Sequence, residues 1–271
     1  MRRLAPLLLA LPLAASAMEP LSDRALAKVA GRDGMSFNLN NFAMSGTMEL
    51  RYTNAQNSAS FSIGNLAASR SDNTDAPFAD PYTLDIVNGG AGRADIISLA
   101  RPLNAAGKEV WQIAYDLGVN ANGQTVTTNM VMKDLAYYGG GMQWTTPRNG
   151  DGMAFGYALR SDLGSLSIQP NGRADTSGAM VISGVRISAS DSNSPWRIAD
   201  VSTQPGIFNA RTDVAGNSSL HIGIDWPDAV GAAAGSIAID NISFNGAAGP
   251  VNLGASRIGS IQIQYLDIKF H

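Results

Sequence analysis

The chain has 271 residues, of which 45% are hydrophobic and 15% charged, with a net charge of −3 and no cysteine. So mild and slightly acidic a balance excludes the basic footprint of a nucleic-acid binder, and the lack of thiols excludes disulfide staples and thiolate chemistry. The apolar content is enough for a core in one or two domains.

The N-terminus predicts export. Arg2 and Arg3 precede an apolar run over residues 4–14, and Ala15-Ser16-Ala17 sets small residues where a signal peptidase reads, so cleavage is expected before Met18. The run is shorter than the ~20 residues that span a bilayer, and Pro6 and Pro12 interrupt it. No later segment approaches that length, so no transmembrane segment is expected in the mature chain. The organisation predicted is a signal peptide at 1–17, a short capped helical segment at 18–34 and a single all-β domain at 35–271.

Residues 21–34, LSDRALAKVAGRDG, predict the chain's one helix. Ser22 suits the N-cap, and Asp23 follows in the first turn, where negative charge meets the positive end of the helix dipole. Leu21 before the cap and Leu26 in the second turn form a hydrophobic staple, and Gly31 suits the left-handed closing position. Isolated helices below ~12–15 residues are marginal in water. Leu26 and Val29 share a face, so together with Leu21 they need something to dock on: the end of the β-body or an external partner. The segment resembles the stretch L-x-D-x-x-L-x-x-V-x-G-Q-x-G behind the signal peptide of the FilA-type pilus-system family, exported bacterial proteins of unknown molecular function. Arg32 stands where that family commonly has Gln. The resemblance implies a surface or pilus-associated role, with envelope or pilus-assembly proteins as partners, and it carries over no catalytic residue.

From Met35 onward apolar residues alternate with a period of two, as strands with one buried face do. Met48, Leu50 and Tyr52 show it, as do Trp111, Ile113, Tyr115 and Leu117; so do Phe155, Tyr157 and Leu159, and Leu220, Ile222, Ile224 and Trp226. Clusters such as Asn122-Gly123 and Asn171-Gly172 supply the left-handed conformations of tight turns, and residues 70–81 read as a polar loop.

A second pattern is two alternating apolar pairs separated by two spacers. It appears at Phe37-Leu39-Phe42-Met44, Met130-Met132-Leu135-Tyr137, Met180-Ile182-Val185-Ile187, Ile237-Ile239-Ile242-Phe244 and Ile261-Ile263-Leu266-Ile268. Two spacers shift the phase of alternation, so each copy predicts either a bulge that restores the face or a bend that sends each half to a different layer. Irregular intervals between copies exclude a solenoid of fixed coil length. The predicted fold is all-β, a β-sandwich or jelly-roll-like body with long bent strands, plus the short N-terminal helix.

Chemistry is sparse. His221 alternates with Leu220 and Ile222 and is expected on the exposed face of its strand, while His271 ends the chain. No G-x-S-x-G elbow, P-loop or dinucleotide fingerprint is present, and Tyr138-Gly139-Gly140-Gly141-Met142 reads as a turn. Asp225 and Asp228 flank Trp226 and Pro227 and are the carboxylates a glycosidase would use. Asp72, Asp75 and Asp80, with Asn73, gather oxygen ligands suited to calcium on one loop; no other cofactor is expected. Trp144 and Trp196 adjoin polar turn residues and are the candidates for exposed sugar-stacking platforms. The expected function is that of an exported, non-enzymatic envelope or surface protein, associated with pilus or surface assembly or adhesion. The alternative is a glycan-binding module using exposed tryptophans, with a hydrolase third.

Overall fold

The computed structural model describes residues 34–76, 78, 80–102, 107–190, 193–224, 234–262 and 265–269. The signal peptide, the predicted helix with Leu21, Leu26 and Val29, and the stretch containing Asp225, Trp226 and Asp228 lie outside the described residues. Among the described residues the chain is all-β, and no helix is long and apolar enough to cross a membrane.

In chain order the strands fall into eight columns. The first holds β1 (Met35–Phe37), β2 (Ala43–Ser45) and β3 (Glu49–Thr53). The second holds β4 (Ala59–Arg70) and β5 (Tyr82–Val87), the third β6 (Ile96–Ala100) and β7 (Glu109–Ala121), and the fourth β8 (Gln124–Tyr137) and β9 (Gly141–Thr145). The fifth holds β10 (Met153–Leu159) and β11 (Ser161–Gln169), and the sixth β12 (Met180–Ala189), β13 (Trp196–Ala199) and β14 (Gly206–Thr212). β15 (Ser218–Ile224) and β16 (Gly235–Gly246) make the seventh, and β17 (Gly249–Ile261) and β18 (Tyr265–Lys269) the eighth.

One antiparallel sheet runs β1-β5-β6-β9-β10-β14-β15-β18, with β13 also paired to β10, and the other runs β17-β16-β12-β11-β8-β7-β4-β2, with β3 also paired to β4. Both orders follow the same sequence of columns. The molecule is therefore one up-and-down meander whose columns are each broken at an elbow, the first sheet on one side and the second on the other. The fifth column crosses the elbow with only Arg160 between β10 and β11. Neighbours are successive columns throughout, so the crossovers of a jelly roll are not among the described connections.

The recurring spacer pattern takes both forms that phase shifting allows. The copies beginning at Phe37 and Ile261 straddle the elbow, joining β1 to β2 and β17 to β18. The three others lie inside strands of the second sheet. On β8, Lys133-Asp134 face the single Gln112 of β7, a bulge that keeps Met132 and Leu135 on one face. On β16, Asp240-Asn241 do the same against β17. Between β11 and β12 the offsets match, since Leu163 pairs with Val185 and Leu166 with Ile182. Gly184 sits there at φ +62°, and a Cβ on it would lie 2.1 Å from Oδ2 of Asp240. The positive φ favours a glycine at that point, and any side chain there would also displace that of Asp240.

One face of each sheet is apolar from edge to edge. In the second sheet Met44, Ala68, Ile113, Met132, Leu166, Ile182, Ile242 and Gly254 are successive Cα partners across all eight columns. In the first, Ile86, Ile97, Trp144 and Phe155 form such a row. The sheets pack on each other near the elbow, where Ile187, Ala189 and Ile261 meet Phe155, Trp196, Ile198 and Ile224. Away from the elbow the apolar face is open, with Tyr52, Phe61, Val119 and Val126 exposed.

Candidate functional site

The densest cluster of polar chemistry lies at the elbow of columns two to four. Alternation along β7 sets Glu109 on the same face as Trp111 and Ile113, so its carboxylate points inward and is 0% exposed. A buried carboxylate is costly unless its charge is matched and its oxygens are hydrogen-bonded. Both conditions are met. The Tyr82 hydroxyl at the start of β5 donates to Oε2, and Arg101 Nη1, in the crossing after β6, donates to Oε1 at 2.7 Å. The Arg101 guanidinium lies 3.8 Å over the ring of Tyr137, the last residue of β8. Phe37 of β1 stacks on Tyr82 with ring centroids 4.9 Å apart.

Beside this cluster Arg70, the last residue of β4, forms a fork with Asp72, Nε to Oδ1 at 2.9 Å and Nη2 to Oδ2 at 3.2 Å, and both side chains are buried. Across the elbow Arg160 lies 4.3 Å over the Tyr138 ring and donates to the Asn193 carbonyl. Asp162 and Arg186 stand 4.0 Å apart on the outer side of β11 and β12.

These contacts move the ionisation equilibria. Burial pushes the Tyr82 phenol well above its ordinary 10.0, and the hydrogen bond to Glu109 pushes it further. Burial would lower Arg101, but the hydrogen bond and charge of Glu109 outweigh it and raise that guanidinium. Burial likewise works against Asp72, yet the Arg70 hydrogen bond prevails and holds its carboxyl below the ordinary 3.8. An acid depressed in the folded state adds stability above its unfolded pKa, which is lost as pH falls through the folded one. The melting temperature is accordingly expected to drop below about pH 4, where the unfolded chain takes up a proton before the folded chain does. In Asp72→Asn the acid limb should be shallower than in the wild type; an unchanged limb would remove Asp72 from the account. The raised Tyr82 phenol acts on the other side: its contribution is full below pH 10.0, its unfolded value, and declines above it.

The cluster has the groups of acid–base chemistry but not the access. Glu109 is sealed, and its neighbours are turned toward it, so the arrangement fastens the elbow rather than opening onto a substrate. Open grooves among the described residues include two. One of about 340 Å³ is lined by small and flexible side chains, among them Met44, Ala67, Ala114 and Met132. The other, of about 230 Å³, is lined by Ser98, Gln143, Gly156, Tyr157, Arg197 and Asp200. Asp200 Oδ1 there accepts from the backbone of Ser202 and Thr203, closing its own turn. Neither groove is lined by a histidine or a pair of carboxylates.

The residues singled out from sequence are not gathered into one site. Asp72, expected as a calcium ligand, is committed to Arg70; Asn73 Oδ1 accepts from the Asn41 backbone, and Asp75 is exposed. Among the described residues no three acidic or histidine side chains come together in a way that would hold a metal. Trp196 is 4% exposed and lies in the core, its ring where a Cβ on Gly235 would stand, so the expectation of an exposed platform is corrected for it. Trp144 packs against the same core, half-buried. His221 points away from Leu220 and Ile222 as expected, but it is 6% exposed rather than on a bare face. Gly223 leaves room beside it, since a Cβ there would stand 2.4 Å from Nε2. The glycine run at Tyr138 is the elbow of column four, with Gly139 and Gly140 both at positive φ and a Cβ on Gly141 excluded by the Leu99 carbonyl at 2.1 Å.

Sequence reasoning missed the Glu109 cluster. The available signal was a glutamate in phase with Trp111, Ile113 and Tyr115, the side on which a strand buries its apolar residues. No curated protein and no solved structure matches the chain. Over residues 1–90, which end just past β5, the chain is similar to a family of unknown function, DUF6160.

Proposed function

We propose that the chain is an exported, non-enzymatic protein of the bacterial envelope or surface, acting through contact in pilus or surface assembly or in adhesion. In its finer form the fold is read as a sandwich-like body, with the two apolar faces turned toward each other about the elbow. The observation that carries the reading is the extent of uncovered apolar surface on a well-paired β-framework. Leu50 is 71% and Tyr52 76% exposed, and they adjoin Phe61, Ile63, Val119 and Val126 on one face. Soluble monomers rarely leave contiguous apolar patches of more than a few hundred Å² bare, and larger ones mark interaction sites. The leader-like N-terminus and the resemblance of residues 21–34 to the FilA-type segment point the same way.

Fractionation of native cells with intact-mass analysis tests it. A mature chain beginning at Met18, recovered outside the cytoplasmic membrane and cleaved by protease added to whole cells, is the expected result. A chain that keeps Met1 and stays in the cytoplasm would overturn it.

A further inference from the structure

We propose that the open edges of the β-framework are occupied by further copies of the same chain, joined head to tail by pairing the eighth column of one copy with the first column of the next. The inference rests on the reading of the protein as one that works through contact.

Among the described residues the meander has two open edges: β17 and β18 pair only with β16 and β15, while β1 pairs only with β5 and β2 and β3 only with β4. Antiparallel columns alternate in direction, so the first and the eighth run opposite ways. Laying the eighth column of one copy against the first of another therefore continues the antiparallel alternation without turning either copy over. β18 then adjoins β1, β17 adjoins β2 and β3, the elbows stay in line, and the apolar face continues from copy to copy. Pairing two like edges is poorer. β17 set antiparallel against another β17 reverses one copy and carries each β18 beyond the end of its neighbour, so the elbows no longer meet.

Side chains at the edges suit such a joint. Met48, Leu50 and Tyr52 on or beside β3, and Val251, Leu253 and Ile258 on β17, are large apolar groups left exposed. Natural edge strands are commonly protected by charge. β17, with thirteen residues, has one charged side chain, Arg257, and Pro250 blunts only its start. On the opposite edge Glu49 and Arg51 pair with each other at 2.9 Å. The two edges therefore bring no row of like charges together. A head-to-tail contact of this kind is heterologous: it closes into a ring or extends as a filament, according to the rotation per copy.

The test blocks each edge separately with a charge at an exposed position. Leu50→Lys blocks the first column and Leu253→Lys the eighth; Leu253 is 64% exposed, so both variants should melt as the wild type does. In sedimentation the mature wild type should form species that grow with concentration. Each variant alone should remain a monomer, and a one-to-one mixture should give particles of about twice the chain mass and none larger, because only one compatible pair of edges remains. Four outcomes would overturn the proposal: a wild type monomeric throughout, a Leu50→Lys chain that dimerises alone through its eighth column, a mixture that stays monomeric, or assembly that appears only after residues 18–33 are deleted. Wild-type monomers that float with phosphatidylglycerol vesicles instead of assembling would likewise overturn it in favour of a lipid occupant. Any of these with the surface location intact rejects the self-pairing alone, whereas cytoplasmic retention rejects the broader reading.

Discussion

Glu109→Ala is expected to lower stability by about 3 kcal/mol, near the lower end of what removing one partner of a buried ion pair costs. The loss arises from what remains. Arg101 would keep its charge over the Tyr137 ring without its carboxylate, and the Tyr82 hydroxyl, held between Phe37 and the elbow, would lose its acceptor. Arg101 is partly exposed and can turn toward water, which is why the lower end applies. Glu109→Gln keeps an acceptor for Tyr82 and should lose less, and Tyr82→Phe, which leaves the ion pair intact, about 1–2 kcal/mol. Urea unfolding of the three variants gives the order directly. If Glu109→Ala unfolds at the same urea concentration as the wild type, the cluster does not fasten the elbow.

Trp196→Ala should be at least as damaging, about 3–5 kcal/mol, as for other large-to-small changes in a core. Trp196 opens β13 opposite Leu159 of β10, and its indole fills the space above Gly235 at the start of β16. It thus joins columns five, six and seven where the two sheets pack. Gly235→Ala probes the same joint from the other side, because its Cβ would fall 2.2 Å from the indole. Both changes should lower the melting temperature, and Trp196→Ala should also reduce the fluorescence shift on unfolding, leaving the part that comes from the half-buried Trp111 and Trp144. A Trp196→Ala protein that melts normally but no longer binds a glycan array would sink the core assignment and restore the tryptophan to a binding role.

Much of the body was legible in the sequence because it rests on local alternation. Trp111 to Leu117 and Leu220 to Ile224 are strands as predicted. The two-residue spacers announced both a bulge and a bend but not which copy takes which form. That choice depends on the neighbour: Lys133-Asp134 are a bulge because β7 offers one residue opposite them, and nothing near Asp134 in sequence says so. The elbow was invisible for a related reason. At Arg160 the chain changes sheet within one residue, with no glycine or proline to mark it. Burial of His221 was misjudged because it alternates with the apolar Leu220 and Ile222, and that of Trp196 because it adjoins polar turn residues, while the glycines beside them, Gly223 and Gly235, act through space. Nor was the pairing of Asp72 legible as such: it stands two residues from Arg70, and the fork they form engages the carboxylate.

The order of the columns also governs how the molecule assembles itself. Each column finds its partner in the one made immediately before it, so no pairing reaches further back in the sequence than the preceding column. Pairing confined to successive columns lowers contact order relative to a fold that joins distant columns, and so favours faster folding. Structure can then advance column by column from the N-terminal side, each newly added strand completing the hydrogen bonds of its predecessor while leaving its own outer edge unpaired. A nascent chain thus has a growing front throughout its emergence, and among the described residues the last such edge is that of β17 and β18.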